Sequence, residues 1–240
     1  MPRPFLTARW ENLLILNFDV PRRLLDPLVP KGTDLDLWKG DAVVSLVGFY
    51  FADTRVLGMA IPRHRNFEEV NLRFYVRRHP DGDDERRAVV FIRELVPRRA
   101  IALAARLIYN EPYLAVPMNH RTRFDPGSGG ELVYSWRYQD DDYALTARAS
   151  GPAQPLDAGS EAEFITEHYW GYTRQRNGGT LEYKVEHPRW RVWTAPEVSF
   201  QGPASELFGP ELGTILTGKP RSAFVADGSA VIVHAGRRIA

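Results

Sequence analysis

The sequence predicts one α+β domain spanning residues 1–240, mostly antiparallel β with a few short helices. Three observations carry this. Extended segments clearly outnumber helical ones. The 19 glycines and 18 prolines are scattered along the chain, as many turns between short strands require. Two pairs of extended segments are joined by acidic tips that read as hairpins. A chain of 240 residues can bury a substantial core without disulfides or metals, and no internal repeat is visible.

Residues 12–20 are an apolar run that reads as a buried strand, and Pro21 opens a short helix over 21–29, with Leu24, Leu25 and Leu28 at helical spacing. Residues 41–52 form a second strand. Residues 66–78 alternate: Phe67, Glu69, Asn71, Arg73 and Tyr75 share one face, and Val70, Leu72, Phe74 and Val76 the other. The acidic stretch 79–86 turns the chain into a strand over 88–95, completing a hairpin. Pro97 starts an alanine- and leucine-rich helix to about Ile108. Residues 125–130 are a loop. Strands at 131–138 and 143–149 meet at Asp140–Asp142 as a second hairpin, and 151–160 read as a linker. Ser160 and Glu163 fit a capping box, and the helix it opens carries Phe164, Ile165, His168, Tyr169 and Tyr172 on one stripe. A turn at Asn177-Gly178-Gly179 precedes extended segments at 180–186 and 190–194. Residues 222–226 and 230–235 read as a closing hairpin around Asp227-Gly228.

Composition narrows the chemistry. Cysteine is absent, which excludes disulfides, zinc–thiolate sites and cysteine nucleophiles and is compatible with a reducing compartment. The formal net charge of +1 favours neither nucleic acid nor an acidic membrane as partner. No apolar run approaches the roughly 20 residues that cross a bilayer, and residues 1–6 lack the apolar segment of a secretory signal, so a cytoplasmic location is expected. Only four of the 31 basic residues are lysines, namely Lys31, Lys39, Lys184 and Lys219. Arginine stays charged and forms no Schiff base, so amine chemistry is confined to those four.

Several stretches, taken in order, carry a family likeness: Val29-Pro30 with Gly32 and Leu35-Asp36; Val44-Ser45-Leu46-Val47 with Phe49; residues 67–76; Pro112-Tyr113 with Met118; residues 164–167 with Tyr169 and Tyr172-Thr173; and His187-Pro188 with Trp190. Over nearly the whole chain this order resembles the uncharacterised YqjF-like domain family, itself similar in fold to acetoacetate decarboxylase. The resemblance implies a closed or cone-shaped barrel of antiparallel strands with a small-molecule pocket inside. The decarboxylases carry Pro-Lys-Lys shortly after Arg-Glu-Leu, and the first lysine forms their Schiff base. Here Arg93-Glu94-Leu95 is followed by Pro97-Arg98-Arg99, so arginines stand where the amine is needed. Lys184, between Glu182 and Glu186 on its strand face, reads as a paired surface lysine.

Candidate site residues follow. Glu69, Asn71, Arg73 and Tyr75 are either the solvent face of a half-exposed sheet or the lining of a closed barrel, where Glu69 and Arg73 would supply acid/base and anion-holding groups. Arg98 and Arg99, taken with Glu94 and disfavoured at a helix start by the dipole, are either surface charge or arginines that pair with a carboxylate or read an anion, and we expect one to face the pocket. Tyr113, His120 and His187 flank constrained turns and join the ligand-binding candidates. His168, on an apolar stripe, reads as a packed histidine. The histidines show no metal spacing, no Gly-x-Ser-x-Gly elbow appears, and Gly127–Gly130 lacks the Lys-Ser/Thr of a phosphate loop. No metal or cofactor is expected. The Trp/Arg alternation at 189–193 is weak support for nucleic acid at this net charge. Three readings remain: an acid/base enzyme on a small carboxylate or carbonyl compound, a non-catalytic binding module of the same fold, or an assembly role without ligand. A small-molecule ligand is the expected partner, and a homo-oligomer stays open.

Overall fold

The computed structural model describes residues 4–108, 110–125, 127–194 and 197–239, with the side chains of 104–108 left aside. In chain order the first half comprises β1 (Pro4–Val20), β2 (Asp34–Leu35), β3 (Ala42–Val56), β4 (Phe67–Arg78), β5 (Arg86–Val96), α1 (Arg99–Ile108), β6 (Tyr113–Ala115), β7 (Met118–Asp125) and β8 (Gly129–Tyr138). The second half comprises β9 (Asp141–Ser150), β10 (Gln154–Pro155), α2 (Glu161–Thr166), β11 (Trp170–Arg174), β12 (Thr180–Glu186), β13 (Arg191–Thr194) and β14 (Glu197–Gln201). It ends with α3 (Ala204–Phe208), α4 (Pro210–Leu216), β15 (Ser222–His234) and β16 (Arg237–Arg238).

Hydrogen-bonded neighbours run β15–β1–β3–β4–β5–β11–β12, and β12 pairs again with β15, so the strands form a closed ring. Within the ring only the β5–β11 pair is parallel. A second sheet, in the order β14–β9–β8–β7, covers one outer face.

The sequence pattern explains this placement. On β1, Leu14, Leu16 and Phe18 join a core between the ring and the second sheet, while Leu13 and Ile15 join another with Phe49, Phe51 and Phe67. A strand apolar on both faces reads as a continuous run, as β1 and β3 do. On β4, Val70, Leu72, Phe74 and Val76 pack outward into the first core, which turns the polar row of β4 toward the interior of the ring.

Three expectations are corrected. Residues 21–29 form two 3-10 turns, Arg22–Leu24 and Asp26–Leu28, because Pro27 lacks the N–H that a continuing helix needs. The helix after Ser160 is capped as expected, with Ser160 Oγ accepting from the Glu163 N–H at 3.1 Å. It ends at Thr166, however, and Trp170–Arg174 pairs with β12 as a strand, since aromatic and β-branched residues fit a pleated surface. The C-terminal segment is one strand, β15, without a hairpin. Gly228 takes φ 83° there, and a Cβ at that position would stand 2.0 Å from the Trp10 carbonyl oxygen, so glycine serves close strand approach instead of a turn. The extended stretches β6, β7 and β14 and the helices α3 and α4 were not anticipated.

Candidate functional site

A cavity of about 440 Å³ lies inside the ring, lined from all seven ring strands, a size ordinary for small-molecule sites. Most of its wall is apolar, with Trp10, Phe49, Phe51, Phe91 and Trp190 prominent. One side is polar, and strand register builds it. Asn71 of β4 stands opposite Glu94 of β5, and Glu94 opposite Tyr113 of β6. Alternation then adds Glu69 and Arg73 two residues either side of Asn71 on the same face. Glu111, just before β6, completes the group.

Three buried carboxyl groups meet here. Glu69 accepts hydrogen bonds from Asn71 Nδ2 and the Tyr113 hydroxyl, both at 3.0 Å. Burial nevertheless pushes its carboxyl up to about 7, against the lowering effect of those donors and of Arg73. Glu111 accepts from the hydroxyls of Thr173 and of Tyr183, the latter at 3.0 Å, and burial likewise pushes it up to about 7. Glu94 is raised well above the ordinary range by burial and then by the charges of Glu111 and Glu69. The Tyr113 phenol is raised too, by burial and by the same carboxylates. Near neutral pH the cluster therefore holds protons, the state in which carboxyls can both give and take them.

Arg73 is 8% exposed and lines the cavity. Its Nε makes no hydrogen bond, and among the described residues no carboxylate lies within ion-pair distance of it. Its guanidinium stands 5.9 Å from the centre of the Tyr75 ring. A buried cation without a counter-ion is costly, and an anion placed beside it would offset that cost.

His168 forms another part of the wall. Its Nε2 is 3.2 Å from Asp36 Oδ2, which Arg87 Nε also contacts at 2.7 Å. Burial lowers the imidazole to about 4 despite Asp36, so it is neutral at pH 7 and Nε2–H donates to the carboxylate. His187 lines the cavity with its ring stacked on Trp190, centroids 4.2 Å apart, and burial lowers its pKa as well.

Of the residues expected from sequence, Glu69, Asn71, Arg73, Tyr113 and His187 line the cavity. Four do not. Tyr75 is buried beside it, its hydroxyl 2.5 Å from Ser45 Oγ. His120 sits on the outward side of β4, with Nδ1 2.7 Å from Glu68, because Glu68 has the opposite parity to Glu69. Arg98 and Arg99 are exposed at the start of α1, and the adjoining Ala100 and Ile101 contribute to the wall instead. None of the four lysines lines the cavity, and Lys184 pairs with Glu186 at 2.8 Å. Sequence reasoning passed over Glu111, Thr173 and Tyr183, used Glu94 only as a partner for the arginines, and read His168 as packing. Parity on β5 could have found Glu94, whereas nothing local marks Glu111.

The chain was then compared with known proteins. The model of the DUF2071 family, described as uncharacterized conserved protein, matches residues 7–229. The uncharacterized protein YqjF of Bacillus subtilis (strain 168) is 28% identical over 191 residues, covering 78% of this chain and 74% of that protein. Acetoacetate decarboxylase from Legionella pneumophila superposes with a TM-score of 0.69 at 14% identity, over 100% of this chain and 88% of the other. An acetoacetate decarboxylase-like enzyme from Sphingomonas wittichii RW1 gives 0.65 at 13%, over 99% and 94%. The enduracididine biosynthesis enzyme MppR complexed with pyruvate gives 0.67 at 11%, over 100% and 91%. At these identities the structural likeness is one of fold.

Proposed function

We propose that this chain, which belongs to the DUF2071 family of uncharacterized conserved proteins and has the acetoacetate decarboxylase-like fold, is an enzyme acting by acid/base chemistry on a small carboxylate or carbonyl compound. The observation that carries the reading is Arg73, a buried cation without an ion-pair partner among the described residues, on the same strand face as Glu69, whose carboxyl is poised at about 7. Arg73 holds the anionic group of the substrate. Glu69, in its ionised form, takes a proton from the carbon beside a carbonyl and returns it, so the carbon–hydrogen bond breaks and re-forms with no other reactant. With no lysine in the wall, the reading involves no iminium intermediate.

The experiment is deuterium exchange followed by proton NMR, with pyruvate, 2-oxobutyrate and acetoacetate in D2O. We expect protein-dependent loss of the α-proton signals, slowed by about 10²-fold in Glu69→Gln and accompanied by weakened binding in Arg73→Ala. One observation favours a second reading, a binding module: both oxygens of Glu69 are already engaged, by Asn71 and Tyr113. Saturable, Arg73-dependent binding without exchange across the panel decides for the module. Absence of binding removes both.

A further inference from the structure

The β4–β5 register sets Asn71 directly opposite Glu94. Side chains so placed have Cβ atoms about 4.5–5.5 Å apart on one face. Both line the cavity and both are 2% exposed. Each carries a buried oxygen without a hydrogen-bond partner, Asn71 Oδ1 and Glu94 Oε2. Asn71 Oδ1 accepts hydrogen bonds, as does Glu94 Oε2 once its carboxyl is ionised, and the neighbouring neutral donors are engaged elsewhere. Asn71 Nδ2 serves Glu69, the Tyr113 hydroxyl is shared between Glu69 and Glu94, and Thr173 and Tyr183 serve Glu111. Buried acceptors are nearly always satisfied in folded proteins, so orphan oxygens on two directly paired residues match a group that donates more than one hydrogen bond.

We propose that the space between Asn71 and Glu94 is a subsite for a protonated nitrogen head group of the ligand, with a primary ammonium as its simplest form. Once the wall carboxyls ionise, charge favours a cation over a hydroxyl. Among the described residues the cavity wall carries the carboxyls of Glu69, Glu94 and Glu111, the phenols of Tyr113 and Tyr183, the imidazoles of His64, His187 and His168, the last of them neutral, and one arginine, Arg73. The described acidic groups do not converge as a metal cage. The subsite goes beyond the anion reading at Arg73. If both hold, the ligand is an amino carboxylate or a related zwitterion with an apolar portion against the aromatic wall.

The test is calorimetry on the full chain with n-butylammonium, n-butanol and butyrate at pH 6 and pH 8. The ammonium should bind more tightly than butanol. Its affinity should rise by roughly tenfold from pH 6 to pH 8, with release of protons as the carboxyls ionise around it. Glu94→Gln and Asn71→Leu should each weaken it by at least about tenfold, while Asn71→Asp should keep or strengthen it and Arg98→Ala should leave it unchanged. Cooperative thermal unfolding of each variant establishes that it is folded. An ammonium that binds no better than butanol, or equally well in folded Glu94→Gln, overturns the proposal and assigns the gap to water. Butyrate reports on Arg73, so the anion reading and this one fail separately.

Discussion

Two settings of buried glutamate stand almost back to back in this protein and behave in opposite ways. On β12, Glu182 and Tyr183 are consecutive and face opposite sides of the strand. Tyr183 enters the cavity and donates to Glu111. Glu182 lies on the other side, 1% exposed, among Arg86 (2.6 Å), Arg237 (2.8 Å), Arg78 (3.2 Å) and the Tyr172 hydroxyl (2.8 Å). Burial opposes ionisation at Glu182 too, but its hydrogen bonds from Tyr172, Arg237 and Arg86 outweigh it, and the carboxyl is held below the ordinary range. The cavity carboxyls receive neutral donors and, for Glu69, the charge of one arginine, and they are raised. Burial disfavours ionisation at both places, so the sign of the shift is decided by whether the partners together, Tyr172 and the arginines at Glu182, outweigh it. The first arrangement is self-contained. The second leaves buried polar atoms of Arg73, Asn71 and Glu94 without partners among the described residues.

The sharpest way to break this comparison is Glu182→Gln, which leaves three arginine side chains short of a counter-charge. It should cost about 3 kcal/mol in urea denaturation, the low end for a broken buried pair because Arg237 is largely exposed. A loss below about 1 kcal/mol would mean the cluster is not a structural clamp. Since the folded value of Glu182 is depressed, its stabilisation is complete above the ordinary carboxylate range and vanishes as pH falls through the depressed value.

Gly171→Ala is the next largest. Gly171 pairs with Tyr183 across β11–β12, and a Cβ would stand 2.1 Å from that ring. The ring must move off Glu111. We expect about 2 kcal/mol of destabilisation and, by NMR titration, a Glu111 carboxyl raised further for want of a donor.

The pH dependence of stability sharpens the contrast from the cavity side. Glu69 and Glu111 bind protons in the folded state up to about 7, whereas unfolded glutamates release them near 4.3. The native state therefore holds more protons between those values, and stability falls as pH rises through that window. Glu111→Gln should flatten the fall and leave the variant more stable than wild type at pH 8 by about 1 kcal/mol, with little difference at pH 4. A wild type whose stability is level from pH 5 to 8 would contradict the raised values.

The smallest effect is expected at Arg98. Arg98→Ala should change the urea midpoint by no more than about 0.5 kcal/mol equivalent and leave ligand affinity untouched. A larger loss of affinity would return Arg98 to the pocket.

Much of this was legible in the chain. The β4–β5 hairpin, the apolar runs of β1 and β3 and the row Glu69, Asn71, Arg73 follow from period-two alternation. Errors came where local signals competed with pairing. Asp227-Gly228 has the chemistry of a turn, yet β15 runs straight through it because β1 pairs with it on both sides of that point. His168 sits where a helical stripe suggested packing, but the helix had already ended at Thr166. Glu111 carries no local mark, and its importance comes from Thr173 and Tyr183, more than sixty residues away.

The sequence by itself determined the strand-rich character, the hairpins, the absence of thiol chemistry and the shortage of amines, because these are properties of residue identity and short-range spacing. It could not determine which face of β4 is interior. Alternation is symmetric between the two sides of a strand, and only closure of β12 onto β15, together with the second sheet packed outside, makes one side a cavity and the other a core. Tertiary structure alone therefore brought three glutamates and one unpaired arginine into the same low-dielectric space, where their protonation follows from their neighbours.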